Sequence, residues 1–313
     1  MNDFPDIHPS RPELNLLTPS GWVDYALLDS GYGLKLERYG PYTFVRPEPQ
    51  AIWQPAASQE SWQAAHAIFQ PTREESGGHW QFNKPVKESW VMQYKGLKFR
   101  VQTTAGRHLG VFPEQAPHWD WIGNVVQTAK RDVNVLNLFG YTGLASLEAS
   151  RAGAHVTHID ASKKSVAWAR ENQALSDLGN KPIRWIVDDA LKFVQRDARR
   201  GVKYDGLILD PPKFGRGPKG EVWEFYRLLP ELLSACHSVL SQEPIFICLT
   251  AYAIRASALS LYYSLQEMVA GFAGQISVGE LALEEHSAGR MLSMAIFARW
   301  ESVTILDAQR KVI

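Results

Sequence analysis

Between Tyr25 and about Val111, aromatic and β-branched residues come in short runs separated by Gly and Pro: Tyr25 to Leu28, Leu34 to Arg38, Thr43 to Arg46, His79 to Phe82, Trp90 to Tyr94 and Leu97 to Thr103. Runs of this length and punctuation predict a mostly antiparallel β module. Pro113 to Lys130 reads as a helix, and beyond it apolar runs of strand length alternate with stretches of helical period. The strands expected are Val133 to Phe139, Val156 to Ile159, Ile183 to Val187, Gly206 to Leu209 and Ile245 to Thr250. Leu144 to Arg151, Ser162 to Leu178, Ala190 to Ala198, Val222 to Leu240 and Ala256 to Ala270 are the helices that follow them in turn. Such alternation predicts a parallel sheet with helices on both faces. Ile276 to Leu283 and Met291 to Trp300 have only the turn-like Glu284 to Gly289 between them, which predicts an antiparallel hairpin. The expectation is an α/β protein: a Rossmann-like doubly wound sheet closed by a C-terminal hairpin, with a smaller N-terminal β-rich domain. The boundaries expected are a polar tail over 1–17, the β-rich domain over 18–105 and the α/β domain over 106–313.

Composition narrows the function classes. Lys and Arg balance Asp and Glu at 33 each, so there is no global positive field and any contact with nucleic acid must use local patches. Cys236 and Cys248 are too far apart for a C-x-x-C metal or redox motif and too few for a disulfide framework; both read as reduced, buried thiols, and no metal site is expected. Of the eleven tryptophans, Trp22, Trp53, Trp62, Trp80 and Trp90 fall in the β module, where core packing is the simpler role than base stacking. Met1 to Leu17 lacks the features of a secretion signal, and no apolar run approaches the roughly 18 residues of a membrane span. A cytoplasmic protein without membrane contact is the expectation; oligomeric state is not legible.

Val135-Leu136-Asn137-Leu138-Phe139-Gly140-Tyr141-Thr142-Gly143 reads as a buried strand entering a glycine turn at the start of a helix. Ligands of open α/β sheets bind at the carboxyl ends of strands, and glycine there lets backbone approach them. A nicotinamide or flavin site would want G-x-G-x-x-G over a pyrophosphate, whereas here only Gly140 and Gly143 flank the turn and Thr142 stands between. A ligand without pyrophosphate, S-adenosylmethionine (SAM) among them, needs less of that cradle; an ordinary tight turn is the plainer alternative. Asp160 ends the second strand 20 residues after Gly140, where a carboxylate can accept both ribose hydroxyls or cap the helix near Ser162. Asp188-Asp189-Ala190 ends the third strand, and Asp189 is the preferred acceptor for an adenine amino group, with a helix cap as the other task at this turn.

Ile208-Leu209-Asp210-Pro211-Pro212-Lys213-Phe214 follows the fourth strand. The Pro-Pro pair stiffens the backbone and fixes the Asp210 carboxylate and the Pro211 carbonyl as acceptors, a pair suited to an attacking amino group. A proline-terminated strand with a capping aspartate is the alternative. The glycine-rich basic loop 215–220 either closes over a phosphate-bearing substrate or is simply solvated, and Arg196, Arg199, Arg200 and Lys203 read as an exposed helix end.

In this order and spacing, the segments Asn137 to Gly143, Asp160, Asp188 to Ala190 and Asp210 to Phe214 resemble those of the bacterial large-subunit rRNA base methyltransferases whose motif reads Asp-Pro-Pro-Lys-Phe. Tyr94 to Phe99 and Gly110 to Gln115 are similar to that family's strand pair and to its segment lying against the cofactor, so the likeness runs from about Tyr94 to Trp300. It implies a class I SAM-dependent methyltransferase sheet. It also implies SAM contacts from Phe112, Gln115, Asn137, Phe139, Gly140, Thr142, Gly143, Asp160, Asp189 and Asp210, an RNA substrate, and chemistry at Asp210, Pro211, Lys213 and Phe214. The cytosine-5 members of the family attack the base with a cysteine in a turn after the fifth strand. Here the turn reads Leu249-Thr250-Ala251-Tyr252-Ala253 and Ala253 stands at the cysteine position, while Cys248 lies in the apolar run; transfer to nitrogen or oxygen without a covalent intermediate is expected. Amino-directed members place an aromatic directly after the two prolines, but this chain has Lys213 there and Phe214 one step on, which leaves a non-RNA acceptor open. A nicotinamide-dependent oxidoreductase, disfavoured by the missing third glycine, and a non-catalytic RNA binder, disfavoured by the intact acids at 160, 189 and 210, are the competing classes.

Overall fold

In the computed structural model, which describes residues 11–72 and 77–310, the strands at the centre of the main sheet are buried along almost their whole length. The elements in chain order are β1 (Leu14–Leu17), β2 (Tyr25–Gly31), β3 (Leu34–Tyr39), β4 (Tyr42–Pro47), α1 (Gln59–Gln63), β5 (Ala67–Pro71), β6 (Gly78–Phe82), β7 (Ser89–Tyr94) and β8 (Leu97–Gln102). A 3-10 turn at Pro113–Gln115 leads into α2 (Ala116–Ala129). Then come β9 (Asn134–Leu138), α3 (Leu144–Arg151), β10 (His155–Asp160), α4 (Lys163–Leu175), β11 (Ile183–Val187), α5 (Ala190–Arg199), β12 (Gly206–Leu209), β13 (Phe214–Arg216) and β14 (Val222–Glu224). The chain closes with α6 (Phe225–Ser238), β15 (Phe246–Ala251), α7 (Ala258–Met268), β16 (Gly274–Glu284), β17 (Met291–Ser302) and α8 (Val303–Arg310).

The main sheet has the order β1-β16-β17-β15-β12-β9-β10-β11. Its strands β15, β12, β9, β10 and β11 are parallel neighbours, and β17 is antiparallel to both β15 and β16. The α/β sheet with its closing hairpin is thus as expected. The chain moves outward from β9 in one direction through β10 and β11 and in the other through β12 and β15, so the switch point where such sheets bind ligands lies between β9 and β12. β9 and β12 are buried along nearly their whole length, as strands covered on both faces must be.

Two stretches depart from the sequence reading. Leu14–Leu17, placed in a polar tail, pairs in parallel with β16 at the sheet edge, Leu14 opposite Val278 and Leu17 opposite Leu281. Being largely exposed, it carries no burial pattern that a periodicity could reveal. Met1–Ser10, the rest of that tail, lies outside the described residues. Val222 to Leu240, read as one helix, opens as a strand: β14 forms a small hairpin with β13, Phe214 opposite Glu224, before α6 begins.

The N-terminal strands form a five-stranded sheet, β2-β3-β4-β5-β6, and the separate hairpin β7-β8, antiparallel except for the β4–β5 pair. Its tryptophans are mostly packing residues: Trp80 meets Phe44 and Phe69 edge-on, and Trp90 stacks on Phe44. One hydrophobic cluster joins Tyr25, Leu27, Tyr39 and Phe44 to Leu144 and Leu147 of α3 and to Leu283 and Leu292 of the closing hairpin. Among the described residues, no helix is long and apolar enough to cross a membrane.

Candidate active site

The turn after β9 is built from unusual backbone. Phe139 and Tyr141 have φ of 59° and 50° and Gly143 has 87°, so three of five successive residues are left-handed. For the two non-glycine residues that geometry costs on the order of 1–2 kcal/mol each, a strain that persists only where the surroundings impose it. The glycines themselves answer to the protein: a Cβ on Gly140 would lie 2.3 Å from the His158 ring, and one on Gly143 would lie 2.8 Å from Ala169 Cβ. Close approach of β10 and α4 demands glycine at both positions, and the left-handed φ of Gly143 adds to the demand there.

Buried side chains brace the turn from below. Thr142 Oγ1 donates to Gly110 O at 2.7 Å and Asn172 Nδ2 donates to Thr142 O at 3.0 Å, fastening the turn to the segment that carries Phe112. Asn137 Nδ2 donates to Ser146 Oγ at 2.8 Å, and Ser146 Oγ lies 3.0 Å from His158 Nδ1. Asp160 accepts from the backbone N–H of Tyr141 at 2.9 Å and of Ser162 at 2.8 Å, so it orders both the glycine turn and the entry to α4. Burial pushes its carboxyl above the ordinary range against the pull of those two N–H groups. Ser162, not Asp160, caps α4.

Phe112, Gln115, Asn137, Phe139, Gly140, Thr142, Gly143 and Asp210 line one cavity at the switch point, joined by residues the sequence reading did not single out, among them His118 and Tyr141. Asp160, Asp189, Pro211, Lys213 and Phe214 stand outside that lining. Asp189 is the N-cap of α5, its Oδ1 accepting from Lys192 N–H at 2.9 Å, while Asp188 is held by Arg196 at 2.6 Å. The capping task at this turn thus falls to Asp189 and occupies one of its two oxygens.

Asp210 is the chemically distinctive group. Its Oδ2 accepts from Gln115 Nε2 at 3.2 Å, and its Oδ1 is buried with no partner among the described residues. Burial, with the nearby Glu114 carboxylate, pushes its pKa up to about 8. Pro211 is buried beside it, whereas Pro212, Lys213 and Phe214 are exposed. Trp223 of β14 reaches back: its Nε1 donates to Pro212 O at 2.6 Å and its ring lies 5.0 Å from Phe139, so one tryptophan ties the Pro-Pro segment to the glycine turn. On the other side Phe112 packs at 5.5 Å from Tyr141 and 5.3 Å from Tyr252, whose hydroxyl is buried beside Gln115 and Glu114. Cys248 is buried in β15 with its thiol pushed up to about 12 by burial, and Ala253 sits exposed in the following bend.

Gln115 was legible through its motif; His118, one helical turn further along α2, could have been found from its spacing of three on the same face. Tyr252 and Trp223 carry no such signal, since each reaches the site from an element distant in sequence.

Comparison with known proteins bears on what this cleft serves. A family model described as S-adenosylmethionine-dependent methyltransferase matches residues 32–260. The ribosomal RNA large subunit methyltransferase K/L of Shewanella sp. (strain ANA-3) is 33% identical over 160 residues, which are 50% of this chain and 22% of that protein. Its namesake from Shewanella frigidimarina (strain NCIMB 400) is 32% identical over 174 residues, 54% of this chain and 24% of that protein, so the match spans less than a quarter of these relatives' length. The crystal structure of the SAM-dependent methyltransferase from Agrobacterium tumefaciens superposes with a TM-score of 0.88 at 48% identity, over 93% of this chain and 96% of that one. The structure of SMU.776 complexed with SAH shares the fold, with a TM-score of 0.68 at 18% identity over 88% and 75% of the two chains. With most of the chain inside the family match and the switch-point cavity inside the matched residues, the chain belongs to the S-adenosylmethionine-dependent methyltransferase family.

Proposed function

We propose that the chain methylates an amino nitrogen of an RNA base, ribosomal RNA in the first instance, without a covalent enzyme intermediate. The observation that carries the reading is Asp210: a buried carboxyl with one oxygen unpaired, at the end of β12 and at the wall of the cofactor cavity. The cavity fits the cofactor of the family, since it joins the strained turn, the orphaned Asp210 Oδ1 and an aromatic wall from Phe112. Phe112, Gln115, Phe139, Gly140, Thr142, Gly143 and Asp210 would hold SAM there, with Asp160 at its ribose and the second oxygen of Asp189 at its adenine; Asn137 serves by bracing α3. SAM supplies an electrophilic methyl group on a sulfonium.

What remains for the protein is positioning and a place for one proton. Asp210 Oδ1, with the Pro211 carbonyl, accepts the N–H groups of the acceptor and aims its lone pair, which is what in-line transfer chiefly requires. Above its pKa of about 8 Asp210 is charged and takes the proton that the methylated nitrogen sheds, so transfer is expected to rise with pH through that value. Phe214 presents an exposed ring on β13 two residues after the Pro-Pro pair, 53% exposed, and Tyr226 adds a second at 58%. Exposed aromatics among the cations Lys213, Arg216 and Arg255 suit an unstacked base and its phosphates. The curated relatives are named for ribosomal RNA, which supports the same substrate class. Incubating the protein with methyl-labelled SAM and unmodified ribosomal RNA tests the reading: label is expected in RNA, at an exocyclic amino nitrogen after nucleoside digestion. Label confined to protein or small molecules would overturn it.

A further inference from the structure

The cleft has a polar inner end that the roles above leave unused. His118 lies one turn along α2 from Gln115, is 1% exposed and lines the same cavity. Arg299 of β17 reaches its ring, donating from Nε to His118 Nδ1 at 2.7 Å, with Nη2 against the same nitrogen. A guanidinium has donors only, so Nδ1 must accept, and the ring is neutral with its proton on Nε2. Burial, and then the charge of Arg299, hold His118 well below the ordinary imidazole range, which keeps it in that neutral form. The Nε2–H so defined is buried and has no partner among the described residues.

Arg299 has no bonded carboxylate. It is 7% exposed, lies over the rings of Trp121 and Phe297 at 4.8 and 5.2 Å, meets the neutral thiol of Cys248, and feels the carboxylates of Glu301 and Asp120 only through space. A buried cation without a bonded counter-ion and a buried N–H without an acceptor are each costly. Both are relieved together if one anionic group takes the Nε2–H, because the imidazole then relays the guanidinium charge to it. We propose that His118, oriented and polarised by Arg299, is the donor that binds the carboxylate of the methionyl part of SAM at the inner end of the cleft.

Two further observations select that group. The carboxylate is the one anion in SAM, and a donor backed by an unpaired cation favours it over ribose or adenine. Asp160 and Asp189, assigned to ribose and adenine, stand outside the cavity lined by His118, Gln115 and Asp210, which leaves this cavity to the amino-acid end.

Calorimetric titration with S-adenosylhomocysteine and with 5′-methylthioadenosine, which lacks the amino-acid carboxylate, tests this. His118→Phe is expected to weaken S-adenosylhomocysteine at least about tenfold, the worth of one charge-assisted hydrogen bond, and to leave methylthioadenosine within about twofold. His118→Gln, which keeps an N–H donor, is expected to recover most of the loss. Equal weakening of both ligands, or of neither, would overturn the proposal. Wild-type protein labelled with 15N at histidine gives a readout that no variant's folding can obscure: the His118 Nε2 resonance is expected to shift with S-adenosylhomocysteine and not with methylthioadenosine, and the same response to both ligands would overturn the assignment. Failure of wild-type protein to bind either ligand would overturn the cofactor site itself, whereas RNA that accepts no label leaves these titrations intact.

Discussion

Leaving Asp210 Oδ1 buried without a partner makes this carboxyl a burden on the fold whenever it is charged. Its folded pKa of about 8 lies above the ordinary carboxyl value, so between about pH 4 and pH 8 the native state holds a proton that the unfolded chain has released, and stability falls as pH rises through that window. Asp210→Asn removes the titration. We expect the variant to melt higher than wild type, by more at pH 8 than at pH 5, while methyl transfer falls at least about a hundredfold for loss of the proton acceptor. Thermal scans at the two pH values check the first part; a gain that shrinks toward pH 8 would contradict it. Cys248 is the opposite case: with its thiol at about 12 it is neutral at physiological pH, so Cys248→Ser is expected to keep transfer within about threefold, and a folded, SAM-binding but inactive variant would restore the covalent mechanism. At Gly140 an added methyl meets the fully buried His158 ring at 2.3 Å, and Gly140→Ala is expected to cost about 2–3 kcal/mol in chemical denaturation and to lose cofactor binding with it.

At the scale of elements, legibility in the sequence follows burial. α3, β11 and β12 fall on the residues expected, Leu144–Arg151, Ile183–Val187 and Gly206–Leu209, because each is a run of mostly apolar or small residues packed into the sheet and bounded by polar or glycine-bearing turns. β1 and β5 escaped because one lies exposed on a sheet edge and the other is five residues ending in Pro71. The glycine turn and Asp210 were legible as site features because motif and position coincide there, but the reason for the glycines was not, since His158 and Ala169 approach from distant elements. The β13–β14 hairpin was hidden for a related cause: its three-residue strands are too short to show a period, and Trp223 reads equally well as helix. That hairpin is held to the site by Trp223 on Pro212 and Phe139, and to α5 by Lys192 with Glu221 at 2.8 Å. Trp223→Phe keeps a buried ring but drops the bond to Pro212 O. A stability loss of about 1 kcal/mol is expected alongside a fall of about tenfold or more in kcat, because the Pro-Pro segment loses the donor that fixes it. Equal loss of transfer and of stability, with kcat restored at lower temperature, would reduce Trp223 to a packing residue.

For the whole molecule, the question is whether the N-terminal strands and the α/β sheet fold separately. The expected boundary near residue 105 cuts through a hydrophobic cluster that contains Phe44 and Leu97 on one side and Leu147 and Leu292 on the other. A polar junction crosses it as well. Ser30 Oγ donates to Glu285 Oε2 at 2.6 Å, Arg290 pairs with Glu285 Oε1, and Arg290 Nη1 donates to Gln54 O at 2.9 Å. Beside them the backbone N–H groups of His286 and Ser287 donate to Leu27 O and Leu28 O, so the turn of the closing hairpin is bonded along β2. Glu285 is 1% exposed, and removing one partner of a buried pair typically costs about 3–5 kcal/mol. Glu285→Ala is therefore expected to lower the melting temperature of the chain while leaving a single calorimetric transition, because the apolar cluster still couples the two halves. The residues before position 105, expressed alone, are expected not to give a cooperative transition, since Leu144, Leu147, Leu283 and Leu292 would be missing from their core. Two resolved transitions in the intact chain, or a cooperatively folding N-terminal fragment, would show instead that the β-rich part is a domain in its own right and that the shared cluster is only an interface between two stable bodies.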